Sequence, residues 1–287
     1  PRGDGTSQEP NMPLRWNGAA GDNIAWKSPV PGVGHSSPIV WGDRVFVVSC
    51  LLDSEDRVLI SLDRKTGKEK WRVPGIRESW NTPVVITASS GRQELIVAAK
   101  GNVLALNPDT GEELWTCNTD IGWYMVPSIV AADGIVYCLG GRSGVAALAV
   151  RTGRSGDVTE SHRLWTSIKG SNVSSPVFLD GYLYWAHESG IANCAKADTG
   201  EIVYQKRLER AEQVYSSALL ADGKIYVHNR EGLTTVVKPG KKFEVIEKNQ
   251  LPGKIFASLA AAGNALFLRT DTALYRLEEK SGQRAAR

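Results

Sequence analysis

The residues that could do chemistry fall in the loops that follow successive alternating apolar runs. Those loops carry Lys100, Arg142, His187-Glu188, His228-Asn229-Arg230-Glu231 and Arg269-Thr270-Asp271. Arginine forks suit carboxylates and phosphates, so this basic series predicts an anionic ligand or an acidic partner surface. Salt bridges to Glu188, Glu231 and Asp271 are the plain alternative. Trp80, Trp123 and Tyr124 read either as an aromatic platform for a sugar or flat ligand or as core at a channel end. His187 and His228 suggest a metal or an acid–base pair, but the chain has four histidines and no third ligand is defined, so no metal site is assigned. Glu188, Glu231 and Asp271 could supply paired carboxylates for glycan chemistry, which turns on a separation that sequence does not give. A hydroxyl series, Ser37, Thr82, Ser175, Ser217 and Ser258, repeats too regularly to be one nucleophile; it reads as caps on backbone groups along a wet channel. No catalytic residue is assigned.

Composition narrows the classes. The 287 residues suffice for one large all-β domain, and the net charge of +3 gives no field that demands nucleic acid. No apolar run is long enough to span a membrane as a helix. Cys50, Cys117, Cys138 and Cys194 lack metal-ligand spacing and read as small buried apolar groups. Arg2-Gly3-Asp4 and the sequon Asn172-Val173-Ser174 are short enough to be accidental. The chain begins at Pro1 without Met, and removal of an upstream segment, such as a signal peptide, is expected.

The elements that must position these loops come from a repeat. The phrase SLDRKTGKEKW at Ser61–Trp71 returns as ALNPDTGEELW at Ala105–Trp115 and, weaker, as CAKADTGEIVY at Cys194–Tyr204. A degenerate copy starts at Ala147 and reaches Trp165 after an insertion. Six units follow from it, aligned at His35, Trp80, Met125, Val173, Tyr215 and Phe256, each the length of four short strands with turns. Asp-Gly and Gly-Asp pairs join first and second strands. Fourth strands end in a bulky residue: Trp71, Trp115, Trp165, Tyr204 and Ile246. The sixth unit lacks a fourth strand, and Asn23–Val30, around Trp26, is expected to supply it and close a ring. The expected architecture is all-β: a six-bladed β-propeller over residues 23–280, with an extended lead-in over 1–22 and a tail over 281–287. Two β-sandwiches are the rival arrangement.

The repeated phrase resembles the PQQ-like, quinoprotein-type β-propeller repeat, over nearly the whole chain from Asn23 to about Leu277. The resemblance implies that Trp26, Trp71, Trp115 and Trp165 are structural staples between blades. It also implies a location outside the cytoplasm, periplasmic or extracellular. Quinoprotein dehydrogenases of this family bind PQQ and calcium, usually on eight blades, and the alcohol-oxidising branch has an adjacent Cys-Cys pair that this chain lacks. Other relatives are cofactor-free scaffolds, such as an outer-membrane assembly lipoprotein. The expected function is therefore non-enzymatic: a monomeric binding or scaffold protein without a cofactor. Its mouth face would hold a protein or an anionic or glycan ligand, through Trp80, Lys100, Trp123, Tyr124, Arg142, His187, Glu188, His228, Arg230 and Arg269. A PQQ- and calcium-dependent oxidoreductase is the alternative, and a carbohydrate-active enzyme a third reading.

Overall fold

The computed structural model describes Arg15 and residues 23–33, 38–54, 56–76, 79–123, 125–209, 213–262 and 265–277. The sequence expectations at Arg2-Gly3-Asp4, His35, Ser37, Tyr124 and the tail over 281–287, and the lead-in over 1–22 apart from Arg15, lie outside the described residues.

The described residues form six sheets in chain order, antiparallel throughout except for one short strand added in parallel to the edge of sheet two. Sheet one contains β1 (Ile39–Trp41), β2 (Arg44–Cys50), β3 (Arg57–Asp63) and β4 (Glu69–Ile76). Sheet two contains β5 (Val84–Thr87), β6 (Gln93–Ala99), β7 (Asn102–Leu106) and β8 (Glu113–Asn118). Sheet three contains β9 (Val130–Ala132), β10 (Ile135–Leu139), β11 (Ala147–Arg151) and, after an insertion, β13 (Arg163–Ser167). The insertion holds the two-residue β12 (Gly156–Asp157) and a single helical turn, α1 (Thr159–His162). Sheet four contains β14 (Val177–Leu179), β15 (Tyr182–His187), β16 (Ile191–Lys196) and β17 (Ile202–Arg207). Sheet five contains β18 (Leu219–Ala221), β19 (Lys224–His228), β20 (Leu233–Lys238) and β21 (Glu244–Gln250). Sheet six contains β22 (Ala260–Ala262), β23 (Ala265–Arg269) and β24 (Leu274–Leu277).

The repeated phrase has a local physical basis. Its acidic residue, Asp63, accepts hydrogen bonds from the hydroxyl of Thr66 (2.9 Å) and the backbone N–H groups of Thr66 and Lys65 (2.8 and 3.0 Å), which folds the turn onto itself. These bonds, the Thr66 hydroxyl first, hold the Asp63 carboxyl down at about 2. The turn glycine then meets an indole from the preceding unit. A Cβ on Gly111 would stand 2.8 Å from the Trp71 ring, and one on Gly200 would stand 2.6 Å from the Trp165 ring, both at positive φ. Every third-to-fourth strand pair in the first five sheets carries a β-bulge at one repeated place, after Ser61, Ala105, Ala149, Cys194 and Val236. The residues paired just before the bulge are Trp71, Trp115, Trp165, Tyr204 and Glu247, so Glu247 rather than Ile246 takes this position in sheet five. Recurring bulges add the same twist to each sheet.

Residues Asn23–Val30 form no strand, and sheet six has three strands among its described residues. Pro29 and Pro31 flank the segment's end and lack the N–H a ladder needs. Trp26 nevertheless seats on sheet one. Its ring lies 2.6 Å from where a Gly67 Cβ would be, and its Nε1 donates to the Arg64 carbonyl at 3.0 Å. Trp115 is placed differently. The insertion lays β12 parallel to β8, with Gly156 paired to Trp115, so the indole is fully buried and its Nε1 donates to the equally buried Glu94 carboxylate at 2.8 Å.

Candidate functional site

The strand direction puts the loops that lead into each first strand on one face with the loops between second and third strands. Backbone bonds stitch these two loop sets together. Val214 N–H reaches Glu188 O (3.0 Å), Arg230 N–H reaches Gln213 O (3.1 Å), and Ile255 N–H reaches Arg230 O (2.8 Å). Beneath them runs a belt of hydroxyls. Thr82 N–H donates to Ser128 Oγ (3.4 Å), Ser128 N–H to Ser175 Oγ (2.9 Å), Ser175 N–H to Ser217 Oγ (3.1 Å) and Ser217 N–H to Ser258 Oγ (3.0 Å). Each hydroxyl thus satisfies a backbone donor of the preceding sheet, in chain order from sheet two to sheet six. Ser128 belongs to this belt, although the sequence alignment placed Pro127 there. The third unit is therefore shifted by one residue. Val126 is the counterpart of Trp80, Val173, Tyr215 and Phe256, while Met125 is fully buried and its carbonyl receives Trp80 N–H and Asn81 Nδ2 (both 3.2 Å).

Three arginines lie over exposed aromatic rings on this face: Arg57 over Trp80 (5.7 Å), Arg142 over Trp123 (4.9 Å) and Arg230 over Phe256 (5.2 Å). Phe256 also stacks with Tyr215, ring centroids 6.4 Å apart. Trp80, Trp123, Tyr215 and Phe256 are each between 39% and 53% exposed, an uncommon cost for large rings unless something covers them. Arg57 was not singled out in the sequence; it opens β3 directly after a loop on this face, which is the signal that could have found it.

The other expected site residues are divided among different environments. His228 is almost fully buried. Its Nε2 donates to Ala257 O (2.7 Å), and desolvation pushes its pKa below the usual histidine range, so it is a neutral buried group rather than a mouth residue. His187 keeps separate partners. Its Nδ1 accepts from Ser189 N–H (3.1 Å), which leaves the proton on Nε2, 3.3 Å from Glu188. Glu188 also accepts from the Asn172 side-chain amide. Asp271 accepts from Lys254 N–H (2.9 Å), a loop-holding contact. Arg269 is exposed near the end of sheet six, and Lys100 is half-buried in the β6–β7 turn. Among the described residues no three His, Cys, Asp or Glu side chains gather in a metal-holding group.

A cavity of about 480 Å³ opens on the same face between sheets three and four. Arg142, Lys169, Asn172, His187, Asn193 and Gln205 are among the residues that line it. Sequence reasoning found Arg142 and His187 but missed Lys169, Asn193 and Gln205.

Sheets of short antiparallel strands, set in chain order around a hydroxyl belt and joined by a Trp-on-Gly contact between units, define a β-propeller of PQQ-like repeats. The model of the family described as outer membrane protein assembly factor BamB matches residues 15–206, and the chain belongs to that family. Among solved structures, BamB from Moraxella catarrhalis superposes with a TM-score of 0.65 at 15% identity, covering 87% of this chain and 71% of its own. The quinohemoprotein alcohol dehydrogenase of Comamonas testosteroni gives 0.60 at 14% identity, over 80% of this chain and 45% of its own. The quinohemoprotein alcohol dehydrogenase ADHIIG of Pseudomonas putida HK5 gives 0.57 at 12% identity, over 78% and 42%. The chain thus spans less than half the length of either dehydrogenase. No curated protein sequence matches it.

Proposed function

We propose that this protein is a non-enzymatic binding scaffold, a monomeric six-bladed propeller over residues 23–280, that holds an acidic surface of a partner protein on its mouth face. The observation that carries this reading is the set of three exposed arginine–aromatic pairs on one face. Trp, Tyr and Arg are the residue types that concentrate binding energy at interfaces, and guanidinium groups recognise carboxylates. The seat of Trp26 on Gly67, matching that of Trp71 on Gly111, supports a ring in which the N-terminal segment closes the sixth unit against the first. A periplasmic location follows from the family, one of whose solved members is the outer membrane protein assembly factor BamB.

Site-specific photo-crosslinking tests the reading. A photoreactive residue at position 80, 123 or 256 is expected to trap one partner protein in the source cell, whereas the same probe at Lys65, on the opposite face, traps none. Equal trapping from both faces, or from neither, overturns it. The competing reading, a PQQ oxidoreductase, is decided by tryptophan fluorescence: saturable quenching by micromolar PQQ with calcium, abolished by Arg142→Ala and Arg230→Ala, would put that reading first.

A further inference from the structure

The cavity between sheets three and four departs from the repeat at a buried lining position, Asn193. The bulge register makes Asn193 the counterpart of Ile60, Leu104 and Leu148, apolar in the three preceding sheets, and of the buried Thr235 in sheet five, so Asn193 is the one amide at that position. An amide in that place, only 3% exposed, costs free energy unless it is held and used. Asn193 is held. Its Nδ2 donates to Ile191 O (2.9 Å), and its Oδ1 accepts from Gln205 Nε2 (2.7 Å) on the neighbouring strand. Both amides face the cavity together with Ser143, Ser189 and Asn172.

Charge is equally specific. Arg142 and Lys169 bring two positive charges to the lining, and among the described residues no carboxylate lines the cavity. Glu188 stands just behind the wall and orients two lining residues, His187 and Asn172. Two cations facing one nearby carboxylate leave an excess of about one positive charge, which suits a monoanion better than a dianion. The volume of about 480 Å³ lies within the range of small-molecule sites.

We propose that this cavity binds a small hydroxylated carboxylate of the uronate class, with Arg142 and Lys169 meeting the carboxylate and the Asn193–Gln205 amide pair and Asn172 meeting the hydroxyls. The site stands independently of the partner rim, sharing only Arg142 with it.

Titration of the purified full chain, followed by calorimetry and ligand-observed NMR, uses D-glucuronate, D-glucose, acetate and inorganic phosphate as probes. Glucuronate is expected to bind with a dissociation constant on the order of 1 mM or tighter, the scale for a ligand of this size. Glucose, acetate and phosphate are each expected to bind at least about tenfold more weakly, because each lacks either the charge, the hydroxyls or the monoanionic match. Lys169→Ala and Asn193→Leu should each weaken glucuronate by about tenfold, and Trp80→Ala should leave it unchanged. Where Asn193→Leu fails to fold, the exposed Gln205→Leu replaces it. Glucuronate binding no tighter than glucose overturns the proposal. So does phosphate binding tighter than glucuronate, binding indifferent to Lys169→Ala and Gln205→Leu, or binding lost in Trp80→Ala. Loss of partner crosslinking with glucuronate binding intact would leave this site standing and remove only the scaffold reading.

Discussion

The seam between sheets two and three and the seam between sheets three and four are built from the same repeat and end differently. In the first, large apolar residues from both sheets meet: Ile96, Val103 and Trp115 on one side, Val136, Leu148 and Val150 on the other, with Val158 of the insertion sealing the edge. In the second, four alanines, Ala147, Ala149, Ala195 and Ala197, sit among the larger Tyr137, Leu139, Leu183 and Trp185, with Trp165 and Phe178 only partly buried against them. That seam stays open at both ends, as the 480 Å³ basic cavity on the mouth side and a cavity of about 350 Å³ on the turn side. The turn-side cavity is lined by Asp133, Asp180 and Asp198 beside the stacked Tyr137–Phe178 pair. Asp133 and Asp180 sit at positive φ in Asp-Gly hairpins, and Asp198 directly precedes the Thr-Gly turn, so turn geometry accounts for two of the three carboxylates. No such backbone demand accounts for Lys169 or Asn193. The contrast teaches that like openings in one seam differ in kind: one owes two of its carboxylates to the turns that place them, the other has chemistry the fold does not require.

The strongest test of the contrast is stability. Trp115→Ala is expected to cost about 4 kcal/mol in guanidinium unfolding, since it empties a sealed site and strips the buried Glu94 of an indole donor. Trp165→Ala, from the half-buried ring of the open seam, should cost about half as much. Equal losses would break the comparison. Next in size is the indole seat itself. Gly200→Ala should cost about 3 kcal/mol, because it adds a ring clash to the left-handed backbone; Gly181→Ala, at a similar φ of +79 with nothing within 4 Å, should cost about 1 kcal/mol. A small difference between the two would mean that the indole gives way, and the staple is then looser than the geometry shows. The finest probe is thiol chemistry. Burial pushes the Cys117 thiol up to about 11 and the Cys138 thiol higher still, both in the sealed seam. At pH 8 a disulfide reagent should leave both unmodified in the native protein and titrate all four cysteines once guanidinium is added. Rapid native modification of Cys117 or Cys138 would show that the seam opens.

Much of the fold was legible because the two close copies of the repeated phrase name their own physics: an Asp or Asn side chain to fold the turn, a glycine to admit a ring, an indole to fill it. Strands such as Ile135–Leu139 and Lys224–His228 were readable to the residue, since alternation and Asp-Gly turns bound them. The third unit was misread by one residue because Pro127 drew the alignment, whereas the belt is defined by the hydroxyl, Ser128. The segment around Trp26 was read as a strand from its indole, but the indole needs only a glycine seat, not a ladder. The candidate site was half legible. Arg142 and His187 announce themselves in a loop; Asn193 hides inside a strand. Its only signal is an amide where three sister repeats have Ile60, Leu104 and Leu148 and the fifth has Thr235, and that becomes visible once the bulges fix the register.

The hydroxyl belt has a polarity. Among the described residues, sheets three, four and five each offer an acceptor to the neighbour before and a donor to the neighbour after, so the four belt contacts from sheet two to sheet six all run head-to-tail. Head-to-tail contacts of this kind carry no count of their members; the rotation between neighbours decides whether a ring closes and at what number. A unit copied or deleted as a whole would therefore leave every remaining junction chemically complete, and ring size in such a chain can change by tandem duplication without inventing a new interface.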